Sequence, residues 1–460
     1  MNRFTLLLVS QWIANAGDAL YIVSLIAMIY QTTGQASLAA LFPVLVTAGM
    51  TGSGFLFAQV AQRVPHASLL FGSQLLKTIL LGVIWGFDLP LPLILALVGC
   101  IAFFDGFARP IESAFIPRLC QDVQKANSLV QGSNQVIQLI MWPLGAILVS
   151  WLSPLSVLSV SAGLFLGASL ISYLFYRSVR SLPDPSMEGE DVSFRSSIRY
   201  TRSHSFAKAN TYLVGIDAFV STAWISALFL VYIDTHFQLS ERWWGILNAF
   251  YLLSMIAGSY MMLRRRGTHS LLYRSIAFSI AATFLFAFAP IVTLAVIACL
   301  LQGFASQVRA IELNTLLQTT TPLERLPYVY SIQQTVYALC FCLGSLLFGW
   351  LADLFAIEFA ERGITVNAIA PGFVDTPMIR TLHGSSKQST YLNVCPMHRF
   401  CSPEEVSAAV VFFASDAASF ITGQVLGVDG GYLASGLYMR DLFEIPAATT
   451  AASPAAAPVA

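Results

Sequence analysis

Long apolar segments recur along residues 5–354 and are separated by short polar stretches. About 20 mostly apolar residues cross the hydrocarbon core of a bilayer as one α-helix. The pattern therefore predicts eleven membrane-spanning helices, spans 1 to 11, at about residues 5–30, 37–61, 67–87, 91–109, 127–151, 154–176, 206–233, 243–263, 271–289, 291–311 and 328–354. The long polar stretch 177–205 is predicted to be a linker between two helical bundles.

Composition agrees with a chain that lies mostly in lipid. Apolar residues make up 56% of the sequence and charged residues only 10%, whereas a soluble globular protein carries about 25% charged residues. The formal net charge is zero, so neither a basic face for nucleic acid nor an acidic tail is expected. We expect the lipid bilayer as a partner and no nucleic acid.

The basic residues predict the orientation, because Lys and Arg accumulate on the cytoplasmic side of a membrane. With a cytoplasmic N-terminus, seventeen basic residues of the spans and their loops lie at the cytoplasmic side and only Arg242 at the outer side. We therefore predict a multi-pass protein of the cell (inner) membrane whose N-terminus is cytoplasmic.

An internal repeat with an offset of about 200 residues divides the helical region into two related halves. The sequence RPIE at 109–112 recurs as RAIE at 309–312, and Leu-Gly at 144–145 recurs at 343–344. Asp18 of span 1 matches Asp217 of span 7, 199 residues later. The repeat predicts an all-α membrane protein with a six-helix bundle (1–176), a cytoplasmic linker (177–205) and a second bundle (206–355) that lacks its last helix, which is the parallel-repeat plan of a two-lobed secondary transporter.

Short motifs within this plan resemble those of one transporter family. Residues 15–18 (NAGD), 126–129 (ANSL) and Gly145 are similar to the drug, macrolide and siderophore exporter branch of the major facilitator superfamily, over about residues 3–353. The loop 58–67 keeps Arg63 of the family signature but replaces its acidic, glycine and other basic positions. The resemblance implies a secondary active transporter.

A second resemblance begins near Ala356. Residues 363–372 (GITVNAIAPG), 402–406 (SPEEV) and 412–431 resemble the C-terminal quarter of a short-chain dehydrogenase/reductase, so that 356–433 is predicted to be an incomplete α/β fragment of Rossmann type. Its pattern predicts a strand, a helix at about 403–414 with Ser402 as its N-cap, and a second strand before 429–431. Residues 434–460, rich in Ala and Pro at their end, are predicted to be a disordered tail.

The sequence lacks the groups that such an oxidoreductase needs. It has no Gly-rich turn for a dinucleotide, and none of its four lysines follows a tyrosine by four residues. Eleven spans also place the fragment on the outer face. We therefore expect no enzyme activity and no cofactor, and the seven cysteines have no spacing typical of a metal site.

Two aspartates within the spans are the first candidates for chemistry, because ionisable residues inside a membrane rarely face lipid. Asp18 shares a helical face with Gln11 and Asn15, and Asp217 is followed one turn later by Ser221. The resemblance implies that spans 1, 4, 7 and 10 line a central cavity, where two carboxylates would carry protons or bind a substrate. Alternatively, each aspartate only bonds a neighbouring helix.

Charges near the cytoplasmic ends of spans 4 and 10 form the second group of candidates. Their helical spacing allows ion pairs, and the repeat predicts a cytoplasmic gate between the lobes or, alternatively, simple anchoring of helix ends. The candidate gate residues are Asp105, Arg109, Glu112, Arg309 and Glu312. Lys77 of span 3 either neutralises an aspartate or extends along its aliphatic stem toward water.

Polar and aromatic stripes on spans 5 and 11 form the third group. Such stripes contact an amphipathic substrate or hold helices together in lipid. Their members are Gln131, Gln135, Gln138 and Trp142 on span 5 and Tyr330, Gln334 and Tyr337 on span 11.

The pattern as a whole favours a monomeric, proton-coupled antiporter that exports a hydrophobic or amphipathic small molecule. A non-functional chimera of a transporter and a dehydrogenase fragment is the alternative, and a membrane-tethered oxidoreductase is the least favoured. In a further variant, Val406 to Val428 enters the membrane as a twelfth helix.

Overall fold

The computed structural model describes residues 2–33, 36–182, 194–225, 233, 236–237, 239, 242–265, 269–361, 365, 367–372, 374–375, 395–422 and 424–431. The chain forms two compact units, residues 1–350 and 351–460.

Helices dominate the first unit, at the positions that the apolar segments predict. Their bounds are α1 Arg3–Thr33, α2 Ala36–Ala61, α3 His66–Gly86, α4 Leu91–Leu119, α5 Val123–Trp151, α6 Pro154–Val179, α7 Phe194–Ser203, α8 Ser205–Ile225, α9 Arg242–Arg264, α10 His269–Ala287, α11 Val292–Thr320 and α12 Leu326–Glu361. Spans 1 to 6 correspond to α1 to α6, and spans 7 to 11 correspond to α8 to α12. Within the described residues, nine of these helices are long and apolar enough to cross a membrane. The predicted polytopic helical fold is confirmed.

Two helices are longer than the hydropathy pattern predicts. Spans 4 and 10 were expected to end near residues 109 and 311, but α4 continues to Leu119 and α11 to Thr320. Hydropathy falls where charges begin, while the helix continues because its backbone hydrogen bonds do not depend on side-chain polarity. The polar ends of both helices pack inside the unit: Ile111 and Ile311 are fully buried.

The predicted linker contains a helix. Residues 183–193 lie outside the described residues, but 194–203 form α7, which packs against α2 and α8. Phe194 and Ile198 are half-buried, whereas Arg195, Arg199 and Arg202 are exposed. An amphipathic basic helix thus follows the proline-rich part of the linker.

The two halves of the first unit repeat their packing residue by residue. In α5, a Cβ on Gly145 would contact Leu20 and Val23 of α1. In α12, a Cβ on Gly344 would contact Phe219 and Thr222 of α8. Each residue of the second set is 199 positions after its counterpart. Small residues at equivalent places allow the same close approach of two helices, which confirms the pseudo-symmetric bundles.

The loops at one end of this unit are basic. The α2–α3, α4–α5, α9–α10 and α11–α12 connections lie there, with Arg63, Arg265 and Arg325 in the connections and Lys125 in the first turn of α5. We call this the basic end, and the other the opposite end.

The second unit contains a two-stranded parallel sheet and a helix. Strand β1 (Ala368–Pro371) pairs with β2 (Val425–Val428), so that Ala368 lies opposite Val425. Helix α13 (Pro403–Phe413) begins at Ser402, whose hydroxyl accepts a hydrogen bond from the Glu405 amide while the Glu405 carboxylate accepts one from the Ser402 amide. The predicted strand–helix–strand order and the Ser402 cap are confirmed.

The apolar faces of this fragment remain exposed. Val411 is 66% exposed and Phe420 is fully exposed, as expected when a parallel sheet lacks the layers that cover its two faces. The variant in which Val406–Val428 forms a twelfth membrane helix is wrong. The helix ends at Phe413, and the chain then enters a short 3₁₀ turn and β2.

Candidate transport site

Four charged side chains meet inside the first half of the helical unit. Lys77 of α3 places Nζ 2.6 Å from Asp105 Oδ1 and 3.3 Å from Asp18 Oδ1. Arg109, one turn after Asp105 on α4, donates from Nε to Asp105 Oδ2 at 2.8 Å. Only 3% of the Lys77 side chain is exposed. Because a buried charge is stable only when it is paired, these contacts hold α1, α3 and α4 together. Lys77 therefore neutralises aspartates and does not reach toward water.

A small polar cavity of about 30 Å³ lies beside this cluster. Besides the four charges, its walls include Asn15, Gln74, Glu112 and Ser172. Among the described residues, Gln74 Nε2 has no hydrogen-bond partner. The volume is enough for a water molecule, so the cluster has a polar neighbourhood on the side of the basic end.

The second half has a simpler arrangement. Arg309 of α11 donates from Nη2 to both carboxylate oxygens of Asp217 on α8, at 3.0 Å each. About half of the Asp217 side chain is exposed, against 15% for Arg309. The repeat thus conserves an aspartate and an arginine, but Lys77 and Asp105 have no charged counterparts in the second half. With the offset of 200 that matches Arg109 to Arg309, the position equivalent to Asp105 is Ala305.

A larger cavity of about 750 Å³ lies between the two halves. Its walls come from α1, α2, α4, α5, α8, α11 and α12 and are mainly apolar and aromatic, with Arg109 as the one charged lining residue in the described part of the chain. Its polar and aromatic lining residues include Trp142, Asn314, Tyr330, Gln333, Gln334 and Tyr337.

The structure brings some predicted site residues together and separates others. Trp142, Gln334 and Tyr337 line the central cavity, and the Tyr337 hydroxyl is hydrogen-bonded to Ser221. Asp18 lines the small cavity, and neither it nor Asp217 is among the described residues that line the central one. The two carboxylates instead belong to separate ion pairs, Asp18 with Lys77 and Asp217 with Arg309.

Of the remaining residues of the predicted polar faces, some contact other side chains and others are exposed. Asn15 donates to Asn134 of α5 at 2.8 Å. Gln11 is buried beside Glu112. Gln138 is exposed and Gln135 half-buried, and neither lines the central cavity.

The predicted gate residues form pairs within each half. Asp105 and Arg109 belong to the cluster of the first half, and Arg309 holds Asp217 in the second. Glu112 faces the small polar cavity, and Glu312 is buried in α11. Their role as a gate stays a prediction.

Neutral side chains join the halves at the basic end. Asn127 of α5 donates to Thr315 Oγ1 at 3.0 Å and to Gln318 Oε1 at 2.8 Å on α11. Gln318 in turn donates to the Ser113 carbonyl of α4 at 2.9 Å. Gln124 donates to the Met262 carbonyl of α9 at 2.7 Å and to the Arg265 carbonyl just after α9 at 2.6 Å. We call this set the amide latch. It joins α4 and α5 of the first half to the second half at the basic end.

Sequence reasoning missed Gln74, Asn127, Asn314 and Gln318 as members of these sites. Amide side chains are common in membrane helices as contacts between helices, so composition gives no signal for which of them face a cavity. Lys77, in contrast, was identified from the sequence, because a lysine within an apolar span is conspicuous.

Comparison with known proteins agrees with this architecture. The sequence profile of the Major Facilitator Superfamily matches residues 7–345. The chain belongs to this superfamily. It is 27% identical over 339 residues to the uncharacterised transporter YjbB of Bacillus subtilis, covering 70% of this chain and 81% of that protein. The uncharacterised transporter YfmI of the same organism is 25% identical and covers 76% and 90%.

Solved structures show the same fold. The fucose:proton symporter FucP of Escherichia coli superposes with a TM-score of 0.60 at 13% identity, covering 76% of this chain and 92% of that chain. A bacterial homologue of ferroportin in an outward-facing state gives a TM-score of 0.59 at 15% identity, covering 75% and 93%.

The C-terminal segment matches a different family. A profile described as enoyl-(acyl carrier protein) reductase covers residues 351–433. The 3-oxoacyl-(acyl-carrier-protein) reductase FabG of Thermotoga maritima is 49% identical over 81 residues, which are 18% of this chain and 32% of that enzyme. The segment is thus similar to part of a short-chain dehydrogenase/reductase, and it spans about a third of the length of this relative.

Proposed function

We propose that this superfamily transporter is a monomeric, proton-coupled exporter of hydrophobic or amphipathic small molecules, with its N-terminus and its basic end in the cytoplasm. The distribution of Arg and Lys supports the orientation. The cavity between the halves supports the substrate class, and the charge cluster supports the coupling.

The size and lining of the central cavity support an amphipathic substrate. Its volume of about 750 Å³ is in the range of small-molecule sites, which are mainly apolar with a few polar groups that orient the ligand. Trp142 and Tyr337 offer aromatic surfaces, and Arg109 offers a positive charge. A neutral or weakly acidic amphipathic molecule fits this lining best.

The proposed coupling between protons and substrate depends on Arg109, because this residue lines both cavities. Its Nε is bound to Asp105 in the charge cluster, while the side chain also forms part of the substrate cavity. The two carboxylates and two cations of the cluster balance when all are ionised, and Glu112 borders the same small cavity. A proton added to Asp18 or Asp105 takes a carboxylate partner from Lys77, and a buried charge that loses a partner is costly. That cost favours a conformation in which the cluster is exposed to water. Protonation of Asp105 also weakens its hydrogen bond to Arg109, whose side chain lines the substrate cavity.

Transport by the purified full chain in proteoliposomes tests the proposal. We expect an imposed pH gradient to drive movement of 1-anilinonaphthalene-8-sulfonate, an anionic amphipathic probe, accompanied by proton flux measured with a pH-sensitive dye. Asp18→Asn and Asp105→Asn are expected to abolish the coupled flux. Asp88→Asn, which removes an exposed carboxylate from the α3–α4 loop, serves as the matched control. Flux equal to that of empty liposomes for the unmodified chain with this probe and with the basic dye Hoechst 33342 would contradict the proposal.

The exposed apolar faces of the C-terminal unit favour a second proposal, that this segment is an inactive remnant in a chimera. Phe420 and Val411 occupy surfaces that further layers cover in a complete α/β sheet. Titration of the full chain with NADH and NADPH, followed by cofactor fluorescence, is expected to show no saturable binding. Micromolar binding would support a membrane-tethered oxidoreductase.

A further inference from the structure

A groove lies at the seam between the halves, separate from both cavities described above. Phe55 of α2 forms one wall, α7 a second, and α8 and α12 the floor. Its volume is about 380 Å³. Nothing in the transport proposal uses it.

The groove has an apolar interior and a basic rim. Phe55, Ile332, Val336 and Leu339 are among the residues that line its interior, and Arg202 and Lys208 stand at its edge. Both basic side chains are exposed. In the described part of the chain, neither of them forms an ion pair with a carboxylate.

Helix α7 adds more positive charge on its outer face. Arg195, Arg199 and Arg202 follow at intervals of four and three residues, so they share that face. Phe194 packs on Phe55 with ring centroids 5.5 Å apart, which fixes α7 against α2. A basic amphipathic helix beside a membrane bundle attracts anionic lipid headgroups electrostatically.

We propose that this groove binds one phospholipid with an anionic headgroup. The headgroup phosphate contacts Arg202 and Lys208, and an acyl chain lies along the apolar wall formed by Phe55, Val336 and Leu339. An anionic lipid brings a negative headgroup to these two cations and an acyl chain to the apolar channel. A zwitterionic lipid has no net charge, so the positive charge at the rim would stay uncompensated.

The position of the groove gives this lipid an effect on conformation. Phe55 belongs to the first half, whereas Lys208 and Leu339 belong to the second. Next to the groove, Ser331 of α12 donates to the Gly54 carbonyl of α2 at 3.2 Å. A lipid that contacts both walls stabilises the arrangement in which α2 and α12 lie together at this seam.

Native mass spectrometry of the full chain in detergent tests the site. We expect the first dioleoylphosphatidylglycerol to bind more tightly than dioleoylphosphatidylcholine. Because each basic residue near an anionic lipid contributes about fivefold in affinity, Arg202→Gln with Lys208→Gln is expected to weaken phosphatidylglycerol binding on the order of twentyfold. Arg63→Gln with Arg274→Gln removes the same charge at exposed positions outside the groove and outside α7, and this double variant is expected to keep most of the preference.

Two further measurements distinguish the groove from general attraction to charge. Leu339→Trp fills the apolar channel without changing charge and is expected to remove the tight first binding event. Glycerol 1-phosphate, the headgroup without chains, is expected not to compete. Equal binding of the two lipids, equal losses in the two double variants, unchanged binding in Leu339→Trp, or competition by glycerol 1-phosphate would each overturn the proposal.

Discussion

Lys77 and Asp105 form a buried ion pair in the first half of the transporter, with 2.6 Å between Nζ and Oδ1. Their side chains are 3% and 13% exposed. The second half has no equivalent pair in its described residues, since the repeat places Ala305 where the first half has Asp105, and the charged contact there joins Asp217 to Arg309. The duplicated bundles have therefore acquired different electrostatics on the same scaffold.

Removal of one partner of this pair is expected to be costly. Asp105→Asn leaves Lys77 with a weakened set of partners in a buried site, for which a loss of about 3–5 kcal/mol is typical. Lys77→Met together with Asp18→Asn in the same chain removes the two remaining buried charges, which pair with each other. This triple variant is expected to recover most of the thermal stability in detergent, while proton-coupled flux stays lost. A triple variant no more stable than Asp105→Asn alone would show that the cluster is not a buried electrostatic unit.

Loss of the amide latch is expected to open the basic end. Gln318→Ala removes the acceptor of Asn127 and the donor to the Ser113 carbonyl. One hydrogen bond contributes about 0.5–1.5 kcal/mol, so the open-to-closed ratio should rise several-fold. Hydrogen–deuterium exchange is expected to increase in 113–131 and 307–320. Ser150→Ala, whose hydroxyl bonds within α5, is the control, and identical exchange in the two variants would contradict a latch.

A larger side chain at Gly54 is expected to open the basic end as well, because it would clash with α12. A Cβ there would overlap Thr335 of α12, whereas nothing lies within 4 Å of a Cβ added at Gly82. Gly54→Val should therefore separate α2 from α12 at the basic end and lower the transport rate, while Gly82→Val should not. Equal transport rates for the two variants would mean that α2 and α12 need not approach this closely during the cycle.

The capping box of the C-terminal fragment predicts a pH dependence at low pH. Hydrogen bonds from Arg399 and from the Ser402 amide lower the pKa of Glu405 to about 2, from an ordinary value of 4.5. A depressed folded-state pKa stabilises the helix start above the unfolded value, and this contribution is lost as the pH falls from 4.5 toward 2. In carboxyl ¹³C NMR, with Glu405→Gln for assignment, Arg399→Gln is expected to raise the pKa of Glu405. An unchanged value would show that the Ser402 amide alone lowers it.

Much of the fold follows from periodicity and the repeat. Apolar length located all eleven long helices, because a bilayer requires about 20 apolar residues from each. The same criterion placed the ends of α4 and α11 nine or ten residues too early, because it treats every charge as a boundary with water. It also gave no signal for α7, whose polar face resembles a linker in composition.

The candidate site was predicted only in part, because the sequence pattern shows which residues are unusual but not which distant residues they contact. Asp18, Arg109, Trp142 and Tyr337 were identified because charged and aromatic residues are conspicuous among apolar ones. Their partners were not, since Asn127 and Gln318 are 191 positions apart and amides are common throughout these helices. Pairing between distant helices depends on rotation and depth, which the spacing within one helix does not specify.

Local composition and the repeated patterns along the chain were enough to predict that this protein crosses the membrane many times, that its two halves are related, and that residues 356–433 resemble a different fold. The three-dimensional packing was needed to show that Asp18 and Asp217 belong to separate ion-pair clusters, that Arg109 borders both cavities, and that amides join the two halves at the basic end. Those relationships depend on the rotation and depth of each helix in the bundle. A buried charge is stable only when it is paired, and helix packing determines which opposite charge lies close enough.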